Sequence, residues 1–137
     1  MTEHGEIRVG THGGFTVVEL RGRFGLTETQ ELSEVLEALV TQETPNVAFD
    51  LRDLVYMGSR AIGVLMQARG EAQSRGGRLI LGNLQPAVAK VIRMNCLDEV
   101  FEVVEDLDAM LQGSEKFLES VERLLKRSEE AREKREE

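Results

Sequence analysis

The chain is expected to fold as a single α/β domain, an open mixed sheet packed with helices, followed by a C-terminal helical extension. Three observations lead there. Short apolar runs alternate with amphipathic stretches of helical period, a glycine-laden hairpin opens the chain, and the last two dozen residues change in character. At 137 residues the length suits one domain. The 41% apolar content supplies a core, although aromatic mass is small, with five Phe, one Tyr and no Trp.

The elements follow in order. Ile7 and Val9, then Phe15 to Leu20, flank Gly10-Thr11-His12-Gly13-Gly14, a segment suited to positive φ, and read as a hairpin. Over Leu26–Gln42, Leu32, Val35, Leu36, Leu39 and Val40 recur at the spacing of a core-facing helix. Thr27 and Gln30 have the spacing of a capping box at its start. Pro45 ends that helix, and Val47 to Leu51 reads as a short buried strand. Ala61, Val64, Leu65, Ala68 and Ala72 mark a second helix, closed by Gly76-Gly77. Arg78 to Leu81 is the next strand, and Pro86 opens a third helix carrying Val88, Val91 and Ile92. Phe101 to Val104 is a last strand and Leu107 to Leu111 a last short helix. Single helices between strands imply parallel neighbours with right-handed crossovers. Sites in such sheets lie where strands hand over to helices.

Charge is distributed unevenly. The net charge is −8, from 25 acids and 17 bases. Ser114–Glu137 holds eight acids and seven bases, leaving 17 acids and 10 bases in residues 1–113. The expected division is therefore a domain over 1–113 and a charged amphipathic helix or tail over 114–137. An acidic chain lacks the basic face that nucleic-acid binding needs, and charge alone does not attach it to anionic lipid. Its start has no basic and apolar regions of a secretion signal, and its longest charge-free stretch, about a dozen residues, is too short to span a bilayer. A single cysteine excludes an internal disulfide and any multi-cysteine metal site. A cytoplasmic setting is the expectation.

The junction Phe49-Asp-Leu-Arg-Asp-Leu-Val-Tyr-Met-Gly-Ser-Arg-Ala-Ile-Gly63 resembles the signature of STAS domains, the fold of bacterial anti-sigma factor antagonists. Asp50-Leu51 matches its start, Tyr56-Met57 its aromatic–apolar pair, Ser59 its phosphorylatable serine and Ile62-Gly63 its end. The likeness continues through Leu81-Gly-Asn-Leu-Gln-Pro-Ala-Val-Ala-Lys-Val-Ile92, Leu97-Asp-Glu-Val-Phe101 and Val18-Glu-Leu-Arg-Gly-Arg-Phe24, covering roughly residues 6–111. The resemblance implies a protein-binding regulator that docks an anti-sigma factor with serine kinase activity. Its docking surface would include Gly25, Gly58, Ser59, Arg60 and Ile62, and Ser59 would be phosphorylated. The chain departs from the pattern at four places. Gly58 and Gly25 stand where the family has Asp, Arg60 replaces Ser or Thr, and Ala61 replaces Gly.

On physical grounds two roles are open to Ser59. It could cap the second helix, worth about 1 kcal/mol. Alternatively it could carry a phosphate, which the helix start would tolerate while adding about −1.5 to −2 charges to a partner-facing surface. Arg60 opposes the helix dipole in the first turn, and is either a plain exposed cation or a partner for a phosphate or carboxylate.

The remaining candidates point to no chemistry. His4 and His12 have no Cys or acid cluster at metal-ligand spacing, so no metal is expected. Cys96 has no visible base, and Asp50 and Asp53 read as turn or loop carboxylates. Met57, Met66 and Met94 are taken as core filler. No cofactor motif is present, and no enzyme is expected. In the tail, Phe117, Leu118, Val121, Leu124 and Leu125 share a helical face that needs burial. It would pack on its own domain, form a homodimer through the C-terminal helix, or dock another protein as a helix in a groove. Three functions compete: the anti-sigma factor antagonist, a structural STAS module in a signalling scaffold or lipid-transport complex, and a small-molecule-binding domain or enzyme.

Overall fold

The computed structural model describes residues 4–136. Two antiparallel strands, β1 (Glu6–His12) and β2 (Phe15–Phe24), open the chain. Then come α1 (Leu26–Val40), β3 (Asn46–Asp50), β4 (Leu54–Met57), α2 (Ser59–Ser74), β5 (Arg78–Gly82), α3 (Pro86–Met94), β6 (Glu102–Val104) and α4 (Leu107–Glu136). The sheet runs β1-β2-β3-β5-β6, with β4 pairing to β2, and every pairing after the hairpin is parallel. The expected open mixed α/β sheet is the fold of the chain. No helix among the described residues is long and apolar enough to cross a membrane.

The hairpin closes through Gly13 and Gly14, at φ +61° and +84°. A tight two-residue turn needs positive φ at both positions, which is why glycine occupies both. Alternation along the strands then sorts side chains onto two faces. Val18, Leu20, Val47, Phe49, Leu79 and Leu81 join the main core under α1, α2 and α3. Phe15, Ala48 and Ile80 point the other way and are covered by Leu107 and Leu111 at the start of α4. The two central strands are thus buried on both sides, as their unbroken apolar runs require.

Helix ends show where local chemistry decides the boundary. After α2, the Gly77 N–H donates to Ala72 O (2.8 Å) and the Gly76 N–H to Gln73 O (3.0 Å), with Gly76 at φ +76°. This paired-bond closure is what Gly76-Gly77 provides. At α1 the expected capping box does not form, because the helix begins two residues earlier than that motif needs. Gly25 is the cap, without a capping side chain, and the Thr29 hydroxyl donates to Gly25 O (2.6 Å).

Other expectations change as well. The segment after Leu51 contains a further strand, β4, which pairs with β2 beyond a register shift at Gly22/Arg23. The two C-terminal helices are one, running unbroken through Gly113 for 30 residues, about 45 Å at 1.5 Å per residue. Met94 is 72% exposed and Met66 is also exposed, so neither fills the core. Beyond Leu118 the tail does not pack on its domain. Phe117, Leu124 and Leu125 are 67%, 64% and 61% exposed.

The base of α4 is fixed tightly. Asn83, at φ +57°, donates from Nδ2 to Asp50 Oδ1 (3.2 Å) and accepts the Leu107 N–H at Oδ1 (3.0 Å). Arg52 is ion-paired to Asp108, which together with the charge of Asp50 and then Asp53 holds its guanidinium above its ordinary pKa. A Cβ placed at Gly82 would lie 2.6 Å from Leu107 Cβ, closer than carbon atoms approach. Gly82→Ala must push α4 off the sheet, and a loss of about 1–3 kcal/mol is expected. Urea denaturation followed by circular dichroism measures it, and an unchanged midpoint would contradict this account of the seat.

Candidate functional site

Strands β2 and β4 end side by side, and each hands over at once to a helix. Gly25 follows β2 and caps α1, while Gly58 follows β4 and caps α2. The Gly58 N–H donates to Phe24 O (3.3 Å), so the two turns are joined through backbone and the two helix starts adjoin. The first intrahelical bonds run from Thr29 to Gly25 and from Ile62 to Gly58. The N–H groups of Leu26, Thr27 and Glu28, and those of Ser59, Arg60 and Ala61, therefore have no acceptor within their helices. Both dipoles present their positive ends at this edge.

All five residues selected from the sequence meet here. Ser59 is the first residue of α2 and is exposed, as is Arg60. Ser59 does not act as the cap, since Gly58 holds that position and no side chain caps this end. Among the described residues no ion pair engages Arg60. Gly25 is exposed and Gly58 half-buried. Ile62 is half-buried, one side against the main core and the other facing an open apolar groove.

Charge reinforces the dipoles. The first turn of α2 carries no acid. Arg23 lies over the Tyr56 ring, 4.7 Å from its centroid, at the distance of a cation–π contact. The acid of this edge is Glu28 in the first turn of α1, with His4 Nδ1 4.0 Å from its carboxylate. The glycines are not demanded by the backbone. Gly25 and Gly58 have φ of −91° and −75°, and a Cβ at either would find its nearest neighbour at 3.6 and 3.5 Å, ordinary contact.

Sequence reasoning missed the apolar part of this surface. Leu26 is 68% exposed beside Gly25, and Val55, Tyr56 and Val91 are exposed around the groove between β4, α2 and α3. One signal was available, because Leu26 falls off the stripe of Leu32, Leu36 and Val40 that α1 buries. Val91 gave none, being spaced like a core residue beside Val88 and Ile92. The other singled-out residues are scattered. His12 ends β1, Cys96 is exposed at φ +54°, and no group of His, Cys, Asp and Glu among the described residues could hold a metal. Asp50 accepts from the Arg52 N–H (3.1 Å) and Asn83, and Asp53 from the Arg21 guanidinium (3.1 Å), so both carboxylates tie loops together.

Known proteins share this fold. The chain is 26% identical over 86 residues to a STAS-domain containing protein of Pseudomonas aeruginosa strain UCBPP-PA14, spanning 63% of this chain and 84% of that protein. Its fold is similar to an anti-sigma-factor antagonist (STAS) domain protein from Planctomyces limnophilus. The TM-score is 0.69 at 22% identity, over 79% of this chain and 97% of that one. It is also similar to the Bacillus cell fate determinant SpoIIAA in its phosphorylated form, with a TM-score of 0.60 at 18% identity over 78% and 96% of the two chains. The family model described as Mlab, STAS domain, matches residues 7–112. The chain belongs to the STAS-domain family.

Proposed function

We propose that the protein is an anti-sigma factor antagonist-like regulator. The edge formed by Gly25, Gly58, Ser59, Arg60 and Ile62 docks an anti-sigma factor with serine kinase activity, and Ser59 is its phosphoacceptor. Holding that partner would release a sigma factor for transcription. The observation that carries this reading is the placement of Ser59, exposed and first in α2 where two helix starts adjoin. A phosphate there would meet free N–H groups, positive dipole ends and Arg60, so the fold accepts the modified form. The same phosphate would add about two negative charges beside exposed Leu26, Val55 and Tyr56, which a close-packed acidic partner would not tolerate. The apolar groove supplies contact area, while the charges around it decide which partner is admitted. The division into a partner-binding module over 1–113 and an extension over 114–137 is part of this reading, as is a cytoplasmic, non-enzymatic role.

A second reading is a structural STAS module within a signalling scaffold or lipid-transport complex. It is favoured by the glycines at 25 and 58, since both caps have room for a side chain and lack the acids the resemblance leads one to expect. In that case the same edge binds a partner constitutively, and Ser59 stays unmodified.

Affinity purification of the full chain with ATP, followed by phosphosite mapping, separates the two. The first reading expects one-to-one capture of a kinase-fold protein, phosphate on Ser59, and capture at least tenfold weaker for Ser59→Glu or Arg60→Glu. Ser59→Glu places an acid in a helix first turn, which is neutral or stabilising, so loss of capture would not reflect unfolding. Capture of a transporter assembly indifferent to Ser59→Glu would support the second reading and remove the first. Gly58→Asp tests the cap itself. With open space and a favourable dipole, a gain of about 0.5 kcal/mol is expected in urea denaturation, and a loss would show that the turn requires glycine.

A further inference from the structure

We propose that the groove between β4, α2 and α3 binds an acidic segment of a partner protein, which seats one apolar side chain in the groove and sets its carboxylates around it. The hollow has a volume of about 150 Å³, and Val55, Tyr56, Ile62, Val88, Val91 and Ile92 are among its lining. Val88 and Ile92 are buried and form its floor, while Val55, Tyr56 and Val91 are 42%, 44% and 42% exposed and form its walls. A space of that size holds one benzene-sized group, and ordinary small-molecule sites begin at about twice the volume. It therefore fits a single aromatic or branched side chain of a partner better than a free ligand. At about 100° per residue, Ser59, Ile62 and Met66 share one side of α2. Met66 is exposed, and it extends the apolar strip one turn beyond Ile62.

The charge around the groove selects the occupant. From Leu54 to Met94 the chain holds six bases and one acid, leaving 24 acids and 11 bases elsewhere. That acid, Glu71, lines a different hollow, between α1 and α2, and is paired with Arg75. No acid lines the groove itself. Both helices start beside it, Ile62 being the fourth residue of α2 and Ala87 the second of α3. Neither helix has an acid in its first turn or a capping side chain. The N–H groups of Ala87 and Val88, like those of Ser59, Arg60 and Ala61, have no acceptor within their helix. A helix start gains from an adjacent acid, so two bare starts at one groove favour carboxylates supplied from outside. Two cations add to this field. Arg23 is stacked on Tyr56. Lys90 lies about 60° round α3 from Ala87 and 160° from Val88 and Ile92, which puts it on the rim. Neither joins an ion pair among the described residues. An anionic lipid surface fits less well, because it would also meet the 24 acids of the remaining chain. The inference rests on the reading of this edge as a protein-docking surface, and not on phosphorylation of Ser59.

Panning the full chain against displayed random peptides of about twelve residues should enrich sequences with a large apolar residue flanked by Asp and Glu. A synthesised winner should bind Val91→Glu at least tenfold more weakly, and Lys90→Glu roughly threefold to tenfold more weakly. Both positions are exposed, so the melting curves should not change. Arg93→Glu is the control. It makes the same charge change about 160° round α3 from Val91, and should bind as the wild type does. Enriched peptides without an excess of acids, or no enrichment at all, overturn the proposal. So does binding indifferent to Val91→Glu, a loss with Arg93→Glu as large as that with Lys90→Glu, or sedimentation with phosphatidylserine vesicles that Val91→Glu abolishes. In the affinity purification, a kinase-fold protein still captured by Val91→Glu and by Lys90→Glu would overturn it too, while leaving the reading of Ser59 in place. Acidic peptides that bind as expected, with no kinase-fold protein captured, would support it and remove that reading.

Discussion

The left-handed turn at Asn83 governs how the molecule is assembled. Its amide joins the ends of two adjacent parallel strands to the first residue of α4, donating to Asp50 and accepting from Leu107. A non-glycine residue at positive φ is uncommon, and asparagine tolerates it best because its side chain can satisfy nearby polar groups. With that turn made, Leu107 falls against Gly82, Leu111 follows one turn later, and the second face of the sheet is closed. Without it, Ala48 and Ile80 in the centre of the sheet would lose their cover.

Closing that second face leaves the opposite requirement elsewhere. The main core takes α1, α2 and α3, whose buried stripes end at one edge where β2 and β4 stop. At that edge the backbone has polar groups to spare and little side-chain mass. Both helix caps are glycine, and the residues that stand up from the surface are Leu26, Tyr56, Arg23 and Arg60. Such a surface has shape, apolar area and a positive field at once. Cation–π stacking fixes one of its cations, Arg23, over Tyr56, while Arg60 is exposed and joins no ion pair among the described residues.

Much of this was legible in the residues. The glycine pairs marked the hairpin and the close of α2, and the apolar stripes marked α1 and α2, because those signals are local. The junction from Asp50 to Gly63 pointed to the family, and to the candidate site, for the same reason, being one continuous strand–turn–helix passage. What escaped depends on distant partners. Leu54–Met57 is four residues long and becomes a strand only because the far end of β2 lies beside it after a register shift. The shift in charge balance marked a boundary near Gly113, and α4 runs through that position although glycine costs a helix about 1 kcal/mol. Met94 looked apolar and therefore buried, but α3 is nine residues long and buries only Val88 and Ile92. Asn83 was visible in its motif, whereas its tie to Leu107, 24 residues on, was not.

The clasp between the opening hairpin and α4 joins positions separated by 101 and 102 residues. Gly13 cannot be held by Glu115 and Ser114 until nearly the whole polypeptide has been made. During synthesis the first two strands therefore leave the ribosome with their outer layer missing and their apolar side chains uncovered. The hairpin itself is a local pairing, whereas its cover and its clasp come from residues about a hundred positions later. Shortening the chain ahead of Ser114 would cost more than a protruding rod, because it would leave the beginning of the protein unfinished.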